Sequence, residues 1–372
     1  MTYLEVNTLL NWTRSPVGIV KTLLEFAKRF DGEYLYFNKE KEEFYKVKKQ
    51  TVLDHIKNIE KNNYIKPFID EKRTYSLSKN DTYISIGLDW DYSDYEKLFF
   101  LKKEKKFKFI GCVYDLIPVN YPHLVVNDYF SKIFFHHLVN LLYLADGIFC
   151  ISDFTKKELE NFIKDNYIDT EAKIKTIYLG DNIHKNSKKV LRPHNENNFI
   201  MYVSTVEIRK NHLLLLKAYK ELLNEINPPD LVFVGMRGWG VDDVYDFYEK
   251  NPQLHNKVFF YEDVDDEELA YLYKTVKYTL FPSEVEGWGL ASRESMAFGK
   301  PVLISEAEAL KEATQDLMLN LPNDKDYWIE AVKLMENKDV YNFFVNEIKE
   351  KFRLRSWDEF YLEFREFINE CS

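Results

Sequence analysis

Cysteine is scarce in this chain of 372 residues: Cys112, Cys150 and Cys371 are the only three, and they have no paired spacing. Two of them stand in apolar strand-like runs, FIGC and GIFC, so buried free thiols are expected rather than a disulfide framework. That usage fits a reducing cytoplasm. No stretch reaches the roughly 18 to 20 uninterrupted apolar residues that a membrane-spanning helix requires. The opening MTYLEVNTLL also lacks the basic-then-apolar order of a signal peptide. The expectation is an unexported, cytoplasmic protein. An excess of positive charge is missing too, since the net charge is −10. Residues 1–190 carry 30 Lys and Arg against 27 Asp and Glu, and residues 191–372 carry 21 against 34. An acidic second half argues against duplex nucleic acid as a partner, because neutralising phosphates needs clustered cations. The basic run KKEKKFK, 102–108, is expected to be a solvated helix end. Its alternative use is a peripheral contact with an anionic membrane or a phosphorylated acceptor. No repeat of about 20 to 50 residues is present.

What is present is alternation. Single cores stop growing near about 250 to 300 residues, so a chain this long is expected to hold two. Short β-branched or aromatic runs alternate with amphipathic helical stretches over almost the whole length, the pattern of a parallel sheet wound with helices. In the first half the strands expected are TYLEVN, TYISIGL, FKFIGCVYD, GIFCIS and IKTIYLG. Helices are expected near 18–30, 53–62, 92–105, 128–144 and 154–166. The polar, aperiodic segment 181–198 reads as a linker. The alternation then restarts with FIMYVST, DLVFVG, KVFFYE, YTLFPS and PVLIS, and closes in an amphipathic helix, SWDEFYLEFREFINE. The domains expected are 1–185, 186–355 and a terminal helix 356–372. Open sheets of this kind bind ligands beyond the carboxyl ends of their strands.

The densest chemistry after such a strand is YTLFPSEVEGWGLASRESMAFGKPVLIS, 278–305. Gly287 and Gly289 let the backbone approach a ligand, and the helix opening at Leu290 offers free N–H groups to an anion such as a diphosphate. Glu286 in the loop and Glu294 in the second helical turn are carboxylates suited to hydroxyls of a sugar and a ribose. In MYVSTVEIRKNHLLLLKAY a strand ends at Ser204 and Arg209 and Lys210 precede a helix, where two cations and a positive helix end could neutralise a leaving diphosphate.

These residues resemble the signature of glycosyltransferase family 4, retaining enzymes of the GT-B fold, in a subgroup like bacterial surface-polysaccharide mannosyltransferases. Pro282, Ser283, Glu286, Gly287, Trp288, Gly289, Leu290, Glu294, Met296 and Ala297 match its pattern; Ala291 and Ser295 depart from it. The resemblance implies an α/β chain of two Rossmann-like domains whose parallel sheets face across a cleft. It implies that Glu286 faces the donor sugar, that Glu294 holds the ribose, and that Lys210 with Arg209 contacts the phosphates. Many family members carry the arginine where this chain has Thr205, so Arg209 is expected to substitute for it. Gly235, with Gly238 and Trp239, resembles the family's next strand end, and Val264 stands where members hold the base through backbone groups. Gly18, expected between a strand and a helix, resembles the first-domain loop that approaches donor phosphates. Tyr114 and Asp115 stand where the family commonly has His followed by an acid, so Asp115 is expected to serve the sugar or the acceptor. The activity implied is hexosyl transfer from a nucleotide sugar, GDP-mannose above dTDP- or UDP-sugars, to a lipid- or protein-linked glycan acceptor, with no cofactor and no divalent metal. The rival readings are a catalytically silent protein of the same fold, and a phosphorylase or sugar-phosphate synthase. Asp89-Trp90-Asp91 also reads as the metal-diphosphate Asp-x-Asp of the other glycosyltransferase architecture, provided both acids share one strand face.

Overall fold

The computed structural model describes residues 1–16, 18–61, 63–182 and 186–371. Outside them lie Val17, beside the expected Gly18 turn; Asn62, where a predicted helix ends; Ile183, His184 and Lys185 of the predicted linker; and Ser372. The chain divides into two compact units. One comprises Met1–Val119, Tyr129–Gly180 and Arg355–Ser372, the other Asn120–Asp128 and Asp181–Leu354.

The first unit is built on β1 (Thr2–Glu5), β2 (Glu33–Asn38), β3 (Glu43–Val47), β4 (Thr74–Tyr75), β5 (Thr82–Ser85), β6 (Lys108–Val113), β7 (Gly147–Cys150) and β8 (Lys173–Thr176). Their order is β4-β3-β2-β1-β5-β6-β7-β8, parallel except where β3 runs against β2 and β4. The predicted strands correspond to β1, β5, β6, β7 and β8. The antiparallel edge of β2, β3 and β4 is not in the prediction, because a charged turn at 39–42 interrupts its apolar residues and β4 has only two residues. Helices at Gly18–Arg29, Lys49–Glu60, Tyr95–Lys105, Asp128–Leu144 and Asp153–Asp165 lie where the amphipathic pattern puts them.

The second unit holds β9 (Phe199–Val203), β10 (Asp230–Val234), β11 (Val258–Tyr261), β12 (Thr279–Phe281), β13 (Val302–Ser305) and β14 (Leu319–Leu321) in the order β11-β10-β9-β12-β13-β14. Every pair is parallel. Near-continuous apolar runs such as LVFV form these strands because a parallel sheet is covered by helices on both faces, leaving no solvated side to alternate with. The strand order reverses between β9 and β12, which places a crevice at their carboxyl ends.

Four sequence readings need correction. Asp89-Trp90-Asp91 lies on a helical turn, Asp89–Tyr92, not on a strand. Asp89 is buried and accepts a hydrogen bond from Tyr95 Oη at 2.5 Å, whereas Asp91 is exposed, so the two acids do not share a face. Gly18 follows a short helix, Asn7–Asn11, rather than a strand. The run KKEKKFK is only partly a solvated helix end. Lys102 donates to Leu144 O and pairs with Asp146, and Lys108, already on β6, donates to Cys371 O. The segment 186–198 is likewise no slack connector. Arg192 holds Glu268 through two nitrogens at 2.7 and 2.9 Å, and Lys188 N–H donates to Glu267 O.

The last helix, Trp357–Glu370, belongs to the first unit. It starts at a capping box in which Ser356 and Glu359 satisfy each other's backbone N–H groups. Its apolar face packs on the helix Gly18–Arg29: Phe26 meets Phe364 edge-on with centroids 4.8 Å apart, and Phe149 of β7 meets Phe364 at 5.4 Å. Arg29 pairs with Asp358, and Tyr361 Oη donates to Asp31. Phe364 is fully buried. Its truncation to alanine removes transfer energy and leaves a cavity, so Phe364→Ala is expected to lower unfolding free energy by about 3 to 5 kcal/mol in a urea titration.

Candidate active site

Three loops leave the carboxyl ends of β9, β10 and β12 and are knitted together by backbone hydrogen bonds. Val206 N–H donates to Met236 O and Gly238 N–H to Val206 O, which ties the β9 and β10 loops. Glu284 N–H donates to Arg209 O at 2.8 Å, tying the β12 loop to the β9 loop. Gly235 makes the first join possible. Its φ is +145°, and a Cβ there would stand 2.1 Å from Ser204 O, so no other residue fits. Ser204 and Thr205 line that join, with the Ser204 hydroxyl 3.4 Å from His212 Nε2.

Where the loops meet, Glu286 sits between two cations. Arg209 Nη1 donates to its Oε2 at 2.8 Å, and Lys210 Nζ donates to its Oε1. Arg209 also pairs through Nε with Glu207, at 2.7 Å. Glu286 and Glu207 are both buried, at 7% and 3% exposure, so these charges act in a medium far less polar than water. The loop backbone is pinned from below: Tyr202 Oη donates to Lys210 O and lies 3.0 Å from Ser283 Oγ, and Ser305 Oγ donates to Ser283 O. Of the residues singled out by sequence, Arg209, Lys210 and Glu286 are thus in direct contact. His212 begins the next helix; burial and then the Lys210 charge push its imidazole down to about 3, so it adds no positive charge.

Gly289 precedes the helix Leu290–Ala297 with φ +112°, and a Cβ there would strike Leu310 at 2.6 Å. This turn buries Gly287 and Trp288 and brings Glu294 round to the interior, where Asn182 Nδ2 donates to its Oε1 at 3.1 Å and Tyr273 Oη to its Oε2 at 3.2 Å. Beside Glu294, Arg293 forks onto Asp181, donates to the carbonyls of Ala313 and Arg353, and lies over the Trp288 ring. Asp181, Asn182, Tyr273, Arg293 and Glu207 are site residues that the sequence reading missed. Asp181 and Asn182 look like linker, and a fork between residues 112 apart leaves no local spacing to read. Val264, in the turn after β11, is half-buried against the apolar cluster that includes Tyr261 and Leu272.

Gly18 and Asp115 belong to the first unit. Gly18 opens its helix with φ +49° and has no atom within 4 Å of where a Cβ would stand. Asp115 follows β6, and its Oδ1 accepts from Ile117 N–H at 3.0 Å. Tyr114 is structural, its buried hydroxyl donating to Ile86 O at 2.7 Å. A second acidic centre that the sequence reading missed lies at the end of β1. Glu5 is 3% exposed, and its Oε2 accepts from Tyr83, Ser85 and Ser93, while Oε1 is buried without a hydrogen-bond partner among the described residues.

Residues 183–353 match the family model described as glycosyl transferases group 1. The serotype-specific mannosyltransferase WbdA of Escherichia coli is 28% identical over 221 residues, which cover 55% of this chain and 26% of that protein. The chain thus spans about a quarter of that relative's length. The O-antigen chain mannosyltransferase B of Escherichia coli is 31% identical over 189 residues, 49% of each chain. The crystal structure of Anabaena HepE in complex with UDP and glucose aligns over 100% of both chains with a TM-score of 0.67 at 14% identity, a likeness of fold. Among the described residues, no helix is long and apolar enough to cross a membrane.

The two buried glutamates respond to pH in opposite senses. Burial alone would raise the Glu286 carboxyl, but the charges of Lys210 and Arg209, with hydrogen bonds from Lys210 and Ser283, hold it at about 2. That pair therefore stabilises the fold above the ordinary carboxylate pKa and is lost only as pH falls through about 2. Burial and then the charge of Asp89 push Glu5 the other way, against the hydroxyls that bind it. Folded Glu5 keeps a proton that the unfolded chain releases, so stability is greatest below the ordinary carboxylate pKa of about 4.3 and declines as pH rises above it. In denaturant titrations between about pH 5 and about pH 8, the wild type is expected to lose stability and Glu5→Gln to lose measurably less. Equal slopes for the two proteins would refute a protonated Glu5.

Proposed function

We propose, for a chain of GT-B fold whose residues 183–353 match the model of glycosyl transferases group 1, that it transfers a hexose from a nucleotide sugar to a glycan acceptor with retention of anomeric configuration. The observation that carries this reading is the meeting of Arg209, Lys210 and Glu286 at the point where the strand order of the second sheet reverses. Two cations held by loops at strand ends suit a diphosphate, and a carboxylate beside them suits sugar hydroxyls.

The chemistry assigned to these groups is electrostatic. As the bond from the anomeric carbon to the phosphate oxygen breaks, charge grows on the diphosphate, and Arg209 and Lys210 are already in place to stabilise it. The acceptor oxygen bonds to the same face of the anomeric carbon, and its proton passes to the departing phosphate oxygen. Glu286 orients the transferred sugar. Glu294, steadied by Asn182 and Tyr273, takes the ribose hydroxyls, and the backbone near Val264 takes the base. Gly287, Gly289 and the helix opening at Leu290 lie with the diphosphate, as do Ser204, Thr205 and Gly235. The two cations supply the countercharge, so the reaction is assigned no divalent metal.

Mannose from GDP-mannose is the donor assigned, supported by the relatives named as mannosyltransferases. HepE was solved with UDP and glucose, which makes a UDP-sugar the second reading. The acceptor assigned is a lipid- or protein-linked glycan, met in the cytoplasm or at the inner face of the membrane.

A thermal-shift panel of GDP-, UDP-, dTDP- and ADP-sugars, with and without chelator, is expected to show one selective stabiliser whose effect survives chelation. Lys210→Ala and Glu286→Ala are each expected to cut turnover by about 100-fold or more while the proteins still melt cooperatively. Near-normal transfer by either variant would remove its assigned role.

A further inference from the structure

The carboxylate assigned to the donor sugar occupies, in this structure, both cations assigned to the diphosphate. Arg209 Nη1 and Lys210 Nζ each hold one oxygen of Glu286. Arg209 has a second carboxylate, Glu207, at 2.7 Å, so it stays paired if Glu286 moves away. Glu286 is in a different position. Its side chain is buried, and its depressed pKa keeps it ionised throughout the physiological range. A diphosphate that takes Lys210 and Arg209 therefore displaces an ionised carboxylate which water reaches poorly, which keeps only the Ser283 hydroxyl and which needs further donors at once.

A sugar still attached to the diphosphate brings such donors, because its hydroxyls can each give a hydrogen bond to a carboxylate oxygen. A spent nucleoside diphosphate brings no sugar hydroxyl to that carboxylate, and its terminal phosphate carries an additional ionisable oxygen that repels Glu286. We propose that Glu286 is the specificity-determining residue by which this site distinguishes a nucleoside diphosphate bearing its sugar from the bare one. It gives way to the first and competes with the second for the same two cations. The proposal rests on the donor-binding reading above and adds to it a means of expelling product. Once the hexose has left, Glu286 keeps only the Ser283 hydroxyl, loses the sugar hydroxyls and returns to Lys210 and Arg209, displacing the diphosphate.

The test is isothermal titration calorimetry of GDP, GDP-mannose, UDP and UDP-glucose against the wild type, Glu286→Gln and Glu286→Ala, each first checked for cooperative melting. Neither variant can form the competing ion pairs, and a hydrogen bond to a charged group is worth enough that bare GDP or UDP is expected to bind either variant about tenfold or more tightly than it binds the wild type. The advantage of the sugar-bearing nucleotide over the bare one is expected to shrink in both. Unchanged or weaker binding of the bare diphosphate by a folded variant overturns the proposal and leaves the donor-binding reading standing. A wild type that binds the bare diphosphate more tightly than its sugar-bearing form also overturns it, whatever the variants do. A wild type that binds none of the four nucleotides removes the donors assigned above, GDP-mannose and a UDP-sugar.

Discussion

One ionised carboxylate held between two cations, Glu286 with Arg209 and Lys210, organises the second unit. Such a cluster is costly to bury, since each charge loses hydration that only its partners can restore. The surrounding structure provides for that cost. Tyr202 and Ser305 fix the backbone on either side through Lys210 O and Ser283 O. The glycine at 235 allows two loops to approach more closely than any side chain would permit. The parallel sheet beneath supplies the location, because the strand order reverses between β9 and β12 and the loops there leave in opposite directions. A similar clamp, Arg293 on Asp181, lies beside the second acid of the motif and fastens the start of the second unit to the helix Leu290–Ala297.

The parts of this arrangement that the sequence disclosed are those with a local signal. β9 to β13 are unbroken apolar runs, and the glycines and acids of 286–294 follow one of them at fixed spacing. Arg209 and Lys210 are legible for the same reason, as cations next to a helix start. What escaped notice has partners distant in sequence. Asp181 and Asn182 look like the beginning of a polar connector, yet they reach residues 112 positions away. Tyr273 gives no sign, within its amphipathic helix, that its hydroxyl holds Glu294. The hairpin β2–β3 escaped because a turn of charged residues separates two short apolar groups, and β14 because three residues carry no period.

Asp89-Trp90-Asp91 shows the reverse error, in which a legible pattern has the wrong conformation beneath it. Alternate acids point the same way only on a strand. On a helical turn one of them enters the core, where Tyr95 binds it, and the other meets solvent. Buried Glu5 nearby has no motif of its own. Its neighbours Tyr83, Ser85 and Asp89 come from other elements, so its character is created by the sheet.

The terminal helix bears on how the molecule comes into being. Phe360 and Phe364 complete the packing of Phe26 and Phe149, yet they are translated only after the whole of the second sheet. Domains generally fold as units while the chain is being made. Here the later-made unit has all its strands available before the earlier-made one acquires its final packing layer. The first unit therefore receives its last aromatic packing layer only after the second sheet has been synthesised.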